Sequence, residues 1–174
     1  MRANPKVLAA IAAAGLTVCS GVLYDFLGRW EGKSEYVVYA DKLAGGLPTV
    51  CRGLTHHVTD TPIVVGQRWT PEKCRAEEEA AIALVQTQLF PCFVETPPQW
   101  VFDAASSHAW NFGAGRTCAS AAMRAWKAGD WVLGCRRLRF GDDGRDVWVF
   151  AGGNRMPGLV NRRDAERLMC EGRQ

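Results

Sequence analysis

Seven cysteines, at positions 19, 51, 74, 92, 118, 135 and 170, are spread over a chain of 174 residues. No C-x-x-C occurs and no cysteine pairs closely with a histidine, which argues against a structural zinc site. The spacings suit disulfides, and disulfides persist in an oxidising compartment. Seven is odd, so at least one thiol is left over. Hydrophobic residues make up 48% of the chain and charged residues 22%, values that fit a globular protein and exclude disorder throughout. The length suits one compact domain, or one domain with a short appendage, and no period of a repeat array recurs. The net charge of 21 − 18 = +3 is small and the basic residues form no run, so nucleic acid is not expected as a partner. Mild cationic character fits ordinary solubility and also an anionic polymer such as a cell wall.

The N-terminus names a compartment. Arg2 and Lys6 precede 18 uncharged residues, 7–24, and Asp25 ends the run. Positive charge ahead of an apolar stretch keeps the N-terminus cytoplasmic and sends the rest of the chain outward. Ala12-Ala13-Ala14 matches a signal-peptidase site but comes too early. Leu16-Thr17-Val18-Cys19 resembles a lipoprotein box, yet Val18 stands where a small residue belongs. As a helix the stretch would be about 27 Å long, at the short edge of what spans a bilayer. Ten of its 18 residues are Ala, Gly, Ser, Thr or Cys. It reads as a marginal anchor that can leave the membrane, in preference to a cleaved signal or a permanent span. Residues 1–25 are therefore set apart from a domain over 26–174.

Phe26, Leu27 and Trp30 stand at helical spacing, with Glu31 near the helix end. Residues 36–49 read as a hairpin turning at Gly45-Gly46. Thr70-Pro71-Glu72 is a helix start, with a capping hydroxyl, proline at the first position and an acid in the first turn. A long helix runs from there to about residue 89, with Cys74, Ala81, Leu84, Val85 and Leu89 on its apolar side. A buried helix is expected over 99–111, two short helices over 120–127 and 130–138, a loop over 140–158 and an arginine-rich helix over 159–170. The fold class is α+β, a small hairpin lobe and a mainly helical lobe joined by a long helix, preceded by an apolar anchor helix.

One block could carry chemistry. Trp30-Glu31-Gly32 places a carboxyl at a helix end, Tyr39-Ala40-Asp41 a second on a strand, and Thr49 a hydroxyl on the returning strand. Cleaving a glycosidic bond needs an acid for the leaving oxygen and an opposed group for a water or the cationic ring. The same residues also fit a solvated helix end and ordinary turn residues.

The block resembles the active-site signature of phage lysozymes, glycoside hydrolase family 24: a Glu-Gly helix end, Tyr-x-Asp, then Thr49-Val50-Cys51-Arg52-Gly53-Leu54-Thr55 on the hairpin. Further resemblances come in the family's order. Trp69-Thr70-Pro71-Glu72-Lys73-Cys74 is similar to the family's interlobe helix start, and Asn111-Phe112-Gly113-Ala114-Gly115 to its glycine turn. Lys127-Ala128-Gly129-Asp130-Trp131 with Cys135 resembles a helix pair. Ala151-Gly152-Gly153, then Pro157-Gly158-Leu159-Val160-Asn161-Arg162-Arg163 and Ala165-Glu166-Arg167, resembles the C-terminal segment. Together the pieces cover most of the chain.

The resemblance implies a lysozyme-like two-lobe fold and a secreted, monomeric endolysin of a phage of Gram-negative hosts, with a signal-anchor-release segment. It would be held at the host inner membrane facing the periplasm, depend on a holin, then be released to the periplasm. It would hydrolyse the β-1,4 bonds between N-acetylmuramic acid and N-acetylglucosamine of peptidoglycan, without cofactor or metal. Glu31 would be the general acid, Asp41 would orient water or stabilise charge, and Thr49 would help hold the water. The Glu31–Asp41 and Asp41–Thr49 spacings exceed the family pattern by one and two residues, which calls for insertions near Val37 and Gly45-Gly46. Asn161, Arg162 and Trp110 are candidate substrate contacts. The expected topology suggests disulfides Cys51–Cys74, Cys92–Cys118 and Cys135–Cys170 among fifteen possible pairings, with family motif positions favouring the first and third. Cys19 is then a leftover thiol, either a small anchor residue or a regulatory group able to exchange with a disulfide after release. His56, His57 and His108 read as loop and core histidines. A lytic transglycosylase, which would dispense with Asp41, and a non-catalytic wall-binding module remain as rivals.

Overall fold

A computed structural model of the chain describes residues 2–32, 34–42 and 45–173. The N-terminal stretch departs from the expected single helix. Asn4 caps α1 (Pro5–Ala13), its side chain accepting from the Lys6 N–H. The chain then leaves helical geometry at Gly15 (φ 76°) and Cys19 (φ 47°), and Ser20 caps a second helix, α2 (Gly21–Glu31). Glycine takes the left-handed conformation without cost, and a serine hydroxyl competes for helical N–H groups, so both act as breaks. The intervening polar groups are taken up by the rest of the protein. The Thr17 N–H donates to Gln99 Oε1 at 2.8 Å, and Gln99 Nε2 returns a bond to the Thr17 carbonyl at 3.1 Å. The Cys19 N–H donates to Gln86 Oε1 at 2.8 Å, and Ser20 Oγ donates to Asp103 at 2.7 Å. Ile11 and Leu23 are fully buried. Among the described residues no helix is long and apolar enough to cross a membrane. Residue 25, the expected boundary, lies within α2.

The hairpin pairs β1 (Glu35–Asp41) with β2 (Leu47–Cys51) in antiparallel register, Tyr39 opposite Thr49 and Asp41 opposite Leu47. The register slips between Glu35 and Tyr39, a span that includes Val37, where the sequence calls for an extra residue. Gly45 and Gly46 hold φ of 68° and 87° in the turn, a region that L side chains rarely adopt. Val38, Val50, Cys51, Leu54, Trp69, Cys74 and Ala81 form the hairpin lobe's core.

Helix α3 (Pro71–Leu89) starts at the Thr70 cap, whose side chain accepts from the Lys73 N–H. It runs from that core, through Ile82 against Leu23 and Leu27, to Leu89 in the larger core. A 3-10 turn (Phe90–Cys92) breaks it. Helix α4 (Gln99–Phe112) is buried on all sides from Val101 to Ala109, as a central helix must be. Around it stand α5 (Ala114–Cys118), α6 (Ala121–Lys127), α7 (Trp131–Arg137) and α8 (Pro157–Cys170). Helix α5 and the two-residue strands β3 (Phe150–Ala151) and β4 (Asn154–Arg155) go beyond the sequence expectation; each is about one turn or one bridge long. The disulfides are Cys51–Cys74 between β2 and α3, Cys92–Cys118 from the 3-10 turn to α5, and Cys135–Cys170 between α7 and α8.

Candidate active site

Glu31 is the last residue of α2, and Gly32 (φ 81°) turns the chain out of the helix behind it. The carboxyl borders an opening lined by Tyr24, Leu27, Arg52, Glu78, Ile82 and Trp110. Its side chain keeps 26% of its surface exposed, enough for a ligand to reach it. Helix, hairpin end and long helix are locked here by one acceptor. Glu78 takes the Tyr24 hydroxyl at 2.7 Å and the Arg52 N–H at 3.1 Å, with the Arg52 guanidinium 3.6 Å away. That guanidinium lies about 3.0 Å from where a Cβ on Gly28 would stand, so any side chain at 28 would displace it.

A larger groove opens between Phe26, Arg29 and Trp30 of α2 and Ala165, Leu168, Met169 and Arg173. Among the described residues no carboxyl lines it, so they supply none of the acid that glycosidic cleavage requires.

Behind Glu31 lies a row of charges. Arg162 Nη1 donates to Glu31 Oε1 at 2.9 Å. Arg162 is not the solvated helix start it could have been, since only 7% of its side chain is exposed. Its Nε reaches Glu166 Oε1 at 3.4 Å, and that oxygen also receives Arg163 Nη2 at 2.6 Å and Ser107 Oγ at 2.7 Å. Burial pushes the Glu166 carboxyl above its ordinary range while the two guanidiniums pull it back. Burial also lowers Arg163 to about 10, against the opposing pull of Glu166. His108 stacks close by, its ring centroid 4.7 Å from that of Trp148 and 5.0 Å from that of Phe112. Its Nδ1 lies 2.8 Å from Thr117 Oγ1, whose own proton goes to the Gly113 carbonyl. That assigns the ring proton to Nδ1. Complete burial, and then the Arg163 and Arg162 charges, hold the imidazole neutral, well below its ordinary range.

On the hairpin, Thr49 is 3% exposed and its hydroxyl donates to the Leu47 carbonyl at 3.0 Å. Asp41 ends β1, half-buried and opposite Leu47. Directly paired residues share a face and alternate along a strand, so Tyr39, Asp41 and Thr49 belong to one face. Burial, then the charges of Asp41 and Glu35, raise the Tyr39 phenol. Trp110 borders the same opening as Glu31. Asn161 is exposed on α8 next to Arg162. His56 and His57 are exposed with rings 4.0 Å apart. Among the described residues no group of His, Cys, Asp and Glu could hold a metal. Cys19 is a free thiol packed on Leu23, Leu27 and Ile82. Glu166 and Ser107 are the site residues that sequence reasoning misses. Arg162, Arg163 and Glu166 at spacings of three and four look the same whether they face water or fill a core.

The phage lysozyme family model matches residues 28–166. The SAR-endolysin of Enterobacteria phage P21 is 31% identical over 166 residues, 94% of this chain and 92% of that protein. A crystal structure of a P22 lysozyme mutant covers 89% of this chain and 99% of its own, with a TM-score of 0.75 and 22% identity. The active form of the P1 phage endolysin Lyz covers 99% of this chain and 96% of its own, with a TM-score of 0.71 and 22% identity. These two likenesses show the lysozyme-like fold.

Proposed function

Because this chain belongs to the phage lysozyme family, we propose that Glu31 is the proton donor with which it cleaves peptidoglycan. The chain is a glycoside hydrolase and an endolysin. What carries the assignment of Glu31 is its carboxyl, partly exposed at the end of α2 and held by Arg162 at 2.9 Å. A proton passed from Glu31 to the glycosidic oxygen lets the β-1,4 bond from N-acetylmuramic acid to N-acetylglucosamine break with cationic character at the sugar carbon. Asp41 stabilises that charge or orients the incoming water. Thr49, whose own proton is committed to the Leu47 carbonyl, has lone pairs left to accept a bond from that water. Trp110 offers an apolar ring at the opening, and Asn161 an exposed amide for the substrate's polar groups.

Residues 1–25 act in this reading as a tether to the host inner membrane facing the periplasm, which leaves the bilayer once a holin has acted. The polar contacts from Thr17, Cys19 and Ser20 to Gln99, Gln86 and Asp103 support it, since none is available inside a lipid bilayer. So does the likeness to the active P1 endolysin, which extends over 99% of this chain. Glu31 and the docked residues Ser20 and Leu23 belong to one helical unit, so docking places the acid. The other six cysteines pair without Cys19, and in this reading Cys19 serves docking as a small residue packed on Leu23, Leu27 and Ile82.

The test is turbidity loss of outer-membrane-permeabilised cells. Wild type should lyse them and Glu31→Gln should lose at least about a hundredfold in rate; undiminished lysis by the variant would overturn the assignment. Masses of the released muropeptides must show water added across the bond. Anhydro products would point to a transglycosylase, and no products to a wall-binding module.

A further inference from the structure

We propose that Glu166, buried behind the site, is a positioning residue that sets both the place and the proton affinity of the Glu31 carboxyl through Arg162. The inference rests on the reading of Glu31 as proton donor.

Four charges of alternating sign run inward from the opening: Glu31 on α2, then Arg162, Glu166 and Arg163 on α8. Glu166 and Arg163 have no exposed surface. Helix α4 packs against α8 and contributes Ser107, which bonds Glu166, and His108, held neutral. The Arg163 guanidinium sits 4.8 Å from the centroid of the Phe112 ring. Facing Glu31 from the other elements are Arg52 at the end of β2 and Glu78 on α3, with Tyr24 on α2 itself. Arg52 and Glu78 pair with one another at 3.6 Å, and Arg162 is in direct contact with Glu31 at 2.9 Å.

A buried ion cluster seldom adds stability over apolar residues of the same volume, because desolvation consumes the Coulombic gain. Its worth here is geometric and electrostatic. A guanidinium in contact with a carboxyl favours the ionised form, which is the wrong form for a proton donor. A second carboxylate on the far side of the same guanidinium draws it back and offsets its charge. Ser107 and Arg163 fix that carboxylate in place, three donors converging on Oε1. The planar guanidinium spans both acids through different nitrogens, which a lysine ammonium could not do in one geometry.

The experiment is the pH profile of kcat/KM on soluble wall fragments for wild type, Glu166→Gln and Glu166→Asp. With the charge of Glu166 gone, Glu31 gives up its proton more readily. The basic limb of Glu166→Gln should move to lower pH by about one unit, costing about tenfold in rate above the limb while activity at acid pH persists. Glu166→Asp keeps the charge but withdraws it by one methylene, so its limb should move the same way by less. Near-UV circular dichroism at the assay temperature shows that each variant is folded, and Glu166→Asp carries the test if Glu166→Gln is not. Limbs that coincide with wild type, or a loss equal at every pH, overturn the proposal. Glu31→Gln runs in the same assay. If it keeps full activity, the reading of Glu31 has failed; if it is inactive while the Glu166 limbs stay in place, only the present inference has failed.

Discussion

His108 shows what a single buried titratable group does to the chain's response to acid. Its Nδ1 has Thr117 as partner and its Nε2 has none among the described residues. The folded protein resists protonating it, whereas the unfolded chain takes a proton near the ordinary histidine value of about 6.5. The unfolded state therefore binds more protons as pH falls, and stability is lost from about pH 6.5 downward. The stability difference between wild type and His108→Gln, from urea unfolding, should narrow by about 1 kcal/mol between pH 6.5 and 5.5. A difference constant with pH would show that the histidine binds its proton equally in the folded and unfolded states. At this scale the sequence is informative about the exposed acid and mute about its support. Glu31 stands out because a carboxyl before glycine at a helix end is an accessible place for one. Glu166 does not, because nothing in Arg-Arg-x-Ala-Glu tells a fully buried carboxylate from a solvated one until α4 is laid across it.

Element by element, the local chemistry of the ends is the most readable part. Thr70-Pro71-Glu72 starts α3 as its sequence reads; Ser120 and Asp130 cap α6 and α7, and all three side chains accept from backbone N–H groups. What spacing does not disclose is close approach between elements. A Cβ on Gly134 of α7 would stand 2.0 Å from Nε1 of Trp126 on α6, a ring only 1% exposed. The two helices cross at that glycine because no side chain separates them. Gly134→Ala should therefore destabilise by about 1–3 kcal/mol, as overpacking does, even though alanine is the better helix former. A melting temperature unchanged or raised would mean that the indole moves aside freely. The hairpin is a second case. Its slip between Glu35 and Tyr39 absorbs a residue, and only the pairing shows that Asp41 still shares a face with Thr49.

The whole molecule depends on one segment of ambiguous solubility. Its composition is legible, with ten of residues 7–24 being Ala, Gly, Ser, Thr or Cys. Its destination is not, because the partners Gln86, Gln99 and Asp103 lie more than sixty residues away in sequence and look like ordinary polar helix positions. Ile11, fully buried in the main core, offers a test of the docked arrangement. Ile11→Asp should cost about 3 kcal/mol or more through an unpaired buried charge. If docking places the acid, lysis by the purified protein falls with the loss of docking while the disulfide-linked core stays folded by near-UV circular dichroism. Full lysis by an undocked variant would separate the first helix from catalysis.

The break between α1 and α2 also limits how this protein can change. Groups freed where residues 7–24 leave helical geometry are spent as contacts on the folded enzyme: the Thr17 backbone N–H and carbonyl on Gln99, the Ser20 hydroxyl on Asp103. Under the proposed tether reading, Ser20→Leu would lengthen the stay in the bilayer and also remove the bond to Asp103, whereas leucine at 17 would keep both backbone contacts with Gln99. In that reading the time of release and the soundness of the released enzyme meet in one hydroxyl, that of Ser20, and a change there moves both.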